Sequence, residues 1–157
     1  MNAEEATRAQ LVQEVQRHGH WVALRNYLTW SLEQEGSPGR IEQVEDERVV
    51  LILDVPPPAP PGRTQKIILN HYDIDGDDWI ELGAPLAYVE EIDPIAALEK
   101  NHGLAIGHLS FGQGMMWYRH TFELELLEPP WLSVSSGLIL VTKLADHLQK
   151  QFGVGGY

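Results

Sequence analysis

Apolar residues near the N-terminus recur with helical spacing. Between Ala3 and about Glu35, Leu11, Val15, His18 and Val22 follow at steps of four, three and four, as one helix face requires. Gly19 interrupts the pattern. Beyond it Trp21, Leu24, Leu28 and Leu32 form a second stripe, rotated from the first, so two packed helical pieces are expected. Gly36-Ser37-Pro38-Gly39 then stops the helix. The apolar run within Arg48 to Val55 is short and rich in β-branched residues, which predicts a strand buried on both faces. Prolines in Pro56-Pro57-Pro58-Ala59-Pro60-Pro61-Gly62 cannot donate ladder hydrogen bonds, so an extended polyproline-type connection between strands is expected. The sharper reading of the same segment is a ligand for an aromatic groove.

Gln65 to Asp73 and Trp79 to Val89 read as two further strands around the turn Asp75-Gly76-Asp77-Asp78, the second bent near Gly83-Ala84-Pro85. Asp93 is placed to cap a short helix from Ile95 to His102, with Pro94 in the first turn and Gly103 closing it. Leu104 to Phe111 and Met115 to Leu126 form a hairpin signal around Gly112-Gln113-Gly114. Met116, Tyr118, Phe122, Leu124 and Leu126 alternate with Arg119, Thr121, Glu123 and Glu125, so one face of that strand is core. Pro129-Pro130 ends it. Ser133 is expected to cap a final helix whose stripe is Val134, Leu138, Val141, Ala145, Leu148 and Phe152, widened by Leu140 and Leu144 for packing on a sheet. No repeat or linker divides the chain, which predicts a single domain over residues 1–157. The fold class expected is α+β: an antiparallel sheet with helices mainly on one face, in the order α-β-β-β-α-β-β-α.

Composition narrows the function. Of 157 residues, 43% are hydrophobic and 22% charged, a globular balance. Eleven Lys and Arg against 23 Asp and Glu give a net charge of -12, so nucleic acid and anionic membrane surfaces are disfavoured as partners. The absence of cysteine excludes disulfides, thiolate metal sites and cysteine nucleophiles. The acidic start Met1-Asn2-Ala3-Glu4-Glu5 lacks the basic patch and apolar stretch of an export signal, and a cytoplasmic location is expected.

Among candidate chemical groups, His71, Asp73 and Asp75 stand two apart on one strand face, near enough to share a cation, with Asp77 following. The calcium-loop pattern fails, because Asp78 stands where it needs Gly and Ala84 where it needs a bidentate Glu. His120, between Tyr118 and Phe122, reads as a core or interface histidine, and His108 on the partner strand is positioned to meet it. His18 and His20 read as surface residues. No nucleophile elbow, phosphate loop, dinucleotide fingerprint or His-Glu-x-x-His pair occurs. Met115, Trp117 and Arg119 share the strand face opposite the core, and these residue types favour a partner or second subunit; a covering helix or the proline loop is the plainer reading. No catalytic residue, metal or cofactor is therefore expected. A small metal-dependent or acid-base hydrolase using His71, His108 or His120 is the alternative.

Three segments carry a family likeness: Trp79-Ile80-Glu81-Leu82-Gly83-Ala84-Pro85-Leu86 running into the short helix, Ala97-Leu98-Glu99-Lys100-Asn101 ending it, and the glycine-bounded hairpin with the last helix. With the element order and acidic charge, they resemble the type III secretion chaperone-like family, including its stand-alone bacterial sensory-transduction-regulator-like relatives. That resemblance implies a twisted antiparallel sheet, no active site, a homodimer, and binding of a non-globular segment of another protein. It also implies that Ile95, Leu98 and His102 lie near a two-fold axis. The function expected is thus a non-enzymatic, chaperone-like or adaptor-like binding protein.

Overall fold

Gly19 has φ +83°, a conformation open to a residue without Cβ, and it divides the helical N-terminus into α1 (Ala3–His18) and α2 (His20–Leu32). The computed structural model describes residues 2–124 and 132–155. A reciprocal capping box starts α1: Asn2 Oδ1 accepts from the Glu5 backbone N–H at 2.8 Å, and Glu5 accepts from the Asn2 N–H at 2.9 Å.

Strands β1 (Gly39–Val44), β2 (Arg48–Asp54), β3 (Thr64–Ile74) and β4 (Asp77–Tyr88) precede the short helix α3 (Pro94–Glu99); β5 (His108–Gly112), β6 (Met115–Glu123) and α4 (Leu132–Phe152) follow it. The six strands make one antiparallel sheet in the order β1-β2-β3-β4-β6-β5. The class is α+β, as expected, with one strand more. Strand β1 lies at the sheet edge and is mostly exposed, with only Ile41 and Val44 large and apolar and Val44 itself exposed, which hides the usual alternation. Two-residue turns join β3 to β4 and β5 to β6, with positive φ at Asp75 and Gly76 and at Gln113 and Gly114. Asp93 caps α3 through the Ile95 N–H at 3.0 Å. Helix α4 begins at Leu132, so Ser133 is its second residue. Glu125, Leu126, Pro129 and Pro130 lie outside the described residues.

The proline segment is not extended. Backbone bonds from Ala59 to Pro56 and from Arg63 to Pro60 fold it into successive turns, and Val55 N–H to the Arg63 carbonyl, at 2.9 Å, closes the β2–β3 connection. Proline removes donors but leaves carbonyls free to accept, so turns remain open to such a segment.

The sheet residues of the apolar core occupy one face: Val49, Leu51 and Leu53 of β2, Ile67 and Leu69 of β3, Ile80, Leu82 and Ala84 of β4, and Met116 and Tyr118 of β6. Over that face pack Trp21, Leu24 and Leu28 of α2, Ala97 of α3, and Val134, Leu138, Val141, Ala145 and Leu148 of α4. Val50 and Trp117 are buried but belong to the opposite face. Strand β2 is therefore buried on both faces over its middle, as its apolar run predicts.

Pro85 tolerates an interior strand because it sits at a bulge, where the β4–β6 register shifts between Pro85 and Ala87. Two amides serve the carbonyls left there: Gln65 donates to Pro85 O at 3.3 Å, and Gln149 of α4 donates to Leu86 O at 2.9 Å. The outer edge of β5 is closed similarly. Asn101 accepts from the Leu109 N–H at 2.6 Å and donates to the Leu109 carbonyl at 3.1 Å, replacing a neighbouring strand at that residue. Among the described residues no helix is long and apolar enough to cross a membrane.

Candidate functional site

The sheet face turned away from the core carries a packed aromatic and cationic group. Gly83 of β4 offers no side chain, and the Trp117 ring lies over it, 3.6 Å from the place a Cβ would occupy. The indole N–H donates to Gly112 O at 2.9 Å. Arg119 stacks above the ring, its guanidinium carbon 5.1 Å from the centroid. Trp117 is consequently only 8% exposed. Among the described residues its own strand neighbours cover it, not a helix or the proline loop.

Arg119 is held by further contacts: Nε donates to Ser110 Oγ at 2.9 Å and Nη1 to Glu81 Oε1 at 2.5 Å. Arg48 of β2 enters the same region with Nε on Asn70 Oδ1 at 2.9 Å. These groups border a depression of about 190 Å³ that Ile68, Asn70, Tyr72, Gly83 and Trp117 complete. Met115 shares this face at the hairpin end, opposite Gly112 and Tyr88.

Ile95, Leu98 and His102 lie elsewhere. Helix α3 sits on the helical side of the sheet, where Ala97 enters the core, and it leaves Ile95 71% and Leu98 43% exposed. Beside it Leu104, Ala105 and Ile106 and the α4 residues Leu140, Leu144 and Leu148 line an apolar groove of about 480 Å³. Lys100, His147 and Gln151 stand on its rim, and Ile106 is 41% exposed. The residues read from the sequence as one binding surface therefore divide between opposite faces of the sheet.

The histidines do not converge. His71 is clamped: Nδ1 meets Glu47 from the β1–β2 turn, Nε2 meets Asp78 Oδ1 at 2.5 Å, and the ring stacks on Trp21 at 5.1 Å with the planes 3° apart. Trp21 donates to Asp46 O at 2.6 Å, so the cluster ties α2 to two hairpins. Asp73 instead accepts from the Gly76 N–H at 3.0 Å within its turn. The candidate cation grouping of His71, Asp73 and Asp75 does not assemble, and among the described residues no three His, Asp or Glu side chains form a metal-holding group. His108 pairs with Arg119 on the face away from the core, whereas His120 pairs with Leu82 on the core face, so the anticipated contact across the hairpin does not form. Alternation along the strands forbids it once the register is set. Burial lowers the His120 imidazole from its ordinary value, beside a tilted Phe122 ring, and burial raises the Tyr118 phenol, whose O–H donates to Ile106 O at 2.8 Å. Buried Ile80 and Leu82 of β4 stand between His71 and His120.

Sequence reading missed Arg48, Asn70 and Tyr72, and also the groove between α4 and residues 104–106. A glycine inside a strand marks close approach by another group, so Gly83 was the available signal for the first region. No protein-family model and no curated protein matches the chain.

Proposed function

We propose that the chain is a non-enzymatic protein-binding domain, chaperone-like or adaptor-like, which acts as a homodimer through the α3 surface and binds a non-globular segment of another protein. The observation that carries the dimer is the set of exposed aliphatic side chains Ile95, Leu98 and Ile106 beside the apolar groove on α4. Single exposed apolar residues are ordinary, but a cluster adjoining an apolar groove marks an interaction surface. A two-fold interface needs a patch complementary to itself, and this patch has both projecting side chains and a groove. Ile95 and Leu98 of one copy fill the groove of the other, and the symmetry operation repeats the contact.

The type III secretion chaperone-like resemblance supports the same surface, since it places Ile95, Leu98 and His102 near the two-fold axis. Core residues drawn from one sheet face are in keeping with that family's layering. The hydrolase reading is weaker, because His71, His108 and His120 occupy separate surroundings. Light scattering coupled to size exclusion tests the proposal. The native chain is expected at twice its own mass, and Ile95→Asp, which puts a charge into the apolar contact, is expected to weaken association by about 100-fold or more. Ile95 is exposed in the protomer, so the variant keeps its urea midpoint at low concentration. A native chain that stays monomeric at high micromolar concentration overturns the dimer.

A further inference from the structure

The depression between Arg48 and Arg119 has donors in excess of its acceptors. Arg119 uses Nε and Nη1 on Ser110 and Glu81, and Arg48 uses Nε on Asn70. Among the described residues no acceptor meets Nη2 of Arg119 or either terminal nitrogen of Arg48. Glu81 is the carboxylate in contact, 2.5 Å from Arg119, so the two guanidiniums and this one anion leave a local charge of about +1 within a chain of net charge -12. Arg119 is also fixed from below by the Trp117 ring, so little side-chain freedom is lost when its remaining N–H groups take an acceptor.

From this geometry we infer that the pocket is an anchor for one carboxylate side chain, presented by a peptide segment of a partner protein and flanked there by apolar residues. The ligand class follows from the donors: two guanidinium edges recognise a planar carboxylate by paired charge-assisted hydrogen bonds. A peptide is the source for two reasons. The depression, about 190 Å³, is smaller than the roughly 300 Å³ at which small-molecule pockets begin, and it suits a single side chain. Beside its mainly polar lining it offers the side chain of Ile68, the edge of Trp117 and, at the rim, Tyr72, 45% exposed, so residues next to the carboxylate gain apolar contacts that a free anion lacks. Long-range repulsion from the acidic chain disfavours highly acidic partners, which leaves a segment with one central Glu or Asp as the best match. This inference rests on the protein-binding reading but not on the dimer, because every residue of the pocket comes from one protomer.

Nitrogen-15 amide spectra of the full chain supply the test, followed at the Gly83 amide and the Trp117 indole N–H during titration with three probes. These are N-acetyl-Leu-Glu-Leu-amide, its Gln counterpart, and glutarate. The Glu peptide is expected to move both signals saturably, and the Gln peptide and glutarate to bind about tenfold more weakly or less well. Arg48→Gln is expected to reduce Glu-peptide binding to the level of the Gln peptide while leaving the rest of the spectrum unchanged. Equal binding of the Gln and Glu peptides overturns the carboxylate anchor. Equal binding of glutarate and the Glu peptide makes the pocket a small-anion site and overturns the peptide occupant. No response to the Glu peptide at millimolar concentration overturns the whole inference. None of these outcomes depends on whether Ile95→Asp changes the mass in solution, so the two proposals fail separately.

Discussion

Truncating Trp117 to Ala separates a residue that holds the protomer together from one that waits for a partner. Its position on the strand face opposite the core suggests the second role, yet the indole is buried by Gly83 beneath and Arg119 above. Removing a large aromatic from a closed core costs roughly 3–5 kcal/mol. Among the described residues Trp117 is covered by strand neighbours and not by a helix, which lowers that figure, while loss of the hydrogen bond to Gly112 O adds about 1 kcal/mol and loss of the Arg119 contact about 0.5 kcal/mol. The expected destabilisation is about 2–4 kcal/mol, or a fall in Tm of roughly 5–15 °C for a chain of this length. Trp117→Phe keeps part of the packing and loses the hydrogen bond, so it falls between. Urea unfolding followed by circular dichroism, at one concentration well below dimer formation and one well above, makes the measurement, with Phe122→Ala as a helix-side comparison. A Trp117→Ala protein that matches the native chain at low concentration and is weaker only at high concentration refutes the reasoning, because the indole then owes its burial to a second copy.

Two further substitutions probe the fold at single atoms. Gly107→Ala places a Cβ 2.5 Å from Arg119 O and 2.6 Å from Tyr118 Oη at a φ of +70°, and it is expected to cost at least about 2 kcal/mol; an unchanged calorimetric Tm contradicts that close approach. Burial raises the Asp146 carboxyl, but hydrogen bonds from Arg63 and Lys150, and their charges, outweigh it and hold the group below its ordinary value of 3.8. Its stabilising contribution is therefore complete above that value and is lost as pH falls through the lower folded value, so the stability curves of Asp146→Asn and the native chain should converge on acidification, and parallel curves refute this.

The sequence announces those parts of the fold whose local signals and tertiary roles agree. Gly19 marks the break between α1 and α2, Asp93-Pro94 marks the start of α3, and alternation from Met116 to Leu124 marks the core face of β6. Strand β1 is silent because an edge strand with mostly exposed residues has no apolar period, and its pairing to β2 is a long-range fact. The proline segment reads as extended because its missing donors are visible, whereas the partners of its carbonyls are not. The candidate sites are harder still. Trp117 lies off the apolar stripe of its strand, and only the cross-strand register, which sets Gly83 opposite Arg119, shows that it is covered; Ile95 and Leu98 share the apolar side of α3, yet it is Ala97 that enters the core and leaves them exposed. Asn101 was read as part of a family motif; its two bonds to Leu109 give it a structural role at the sheet edge.

The two faces of the sheet are sealed by different means, and that difference decides where binding and stability come apart. On the core face, α2, α3 and α4 form a layer, and exposing Leu82 or Tyr118 would require moving a helix. On the other face burial is lateral: Trp117 lies flat on Gly83, and a single guanidinium covers it. Arg48 and Arg119 can take a partner's carboxylate on the N–H groups that their contacts to Asn70, Ser110 and Glu81 leave free, while the indole beneath keeps its hydrogen bond to Gly112. Substitutions at Arg48, an exposed side chain with one hydrogen bond to Asn70, should change binding with at most about 1 kcal/mol of effect on folding. Substitutions at Trp117 should lower folding stability and binding together, because the ring is the floor on which the binding groups are arranged.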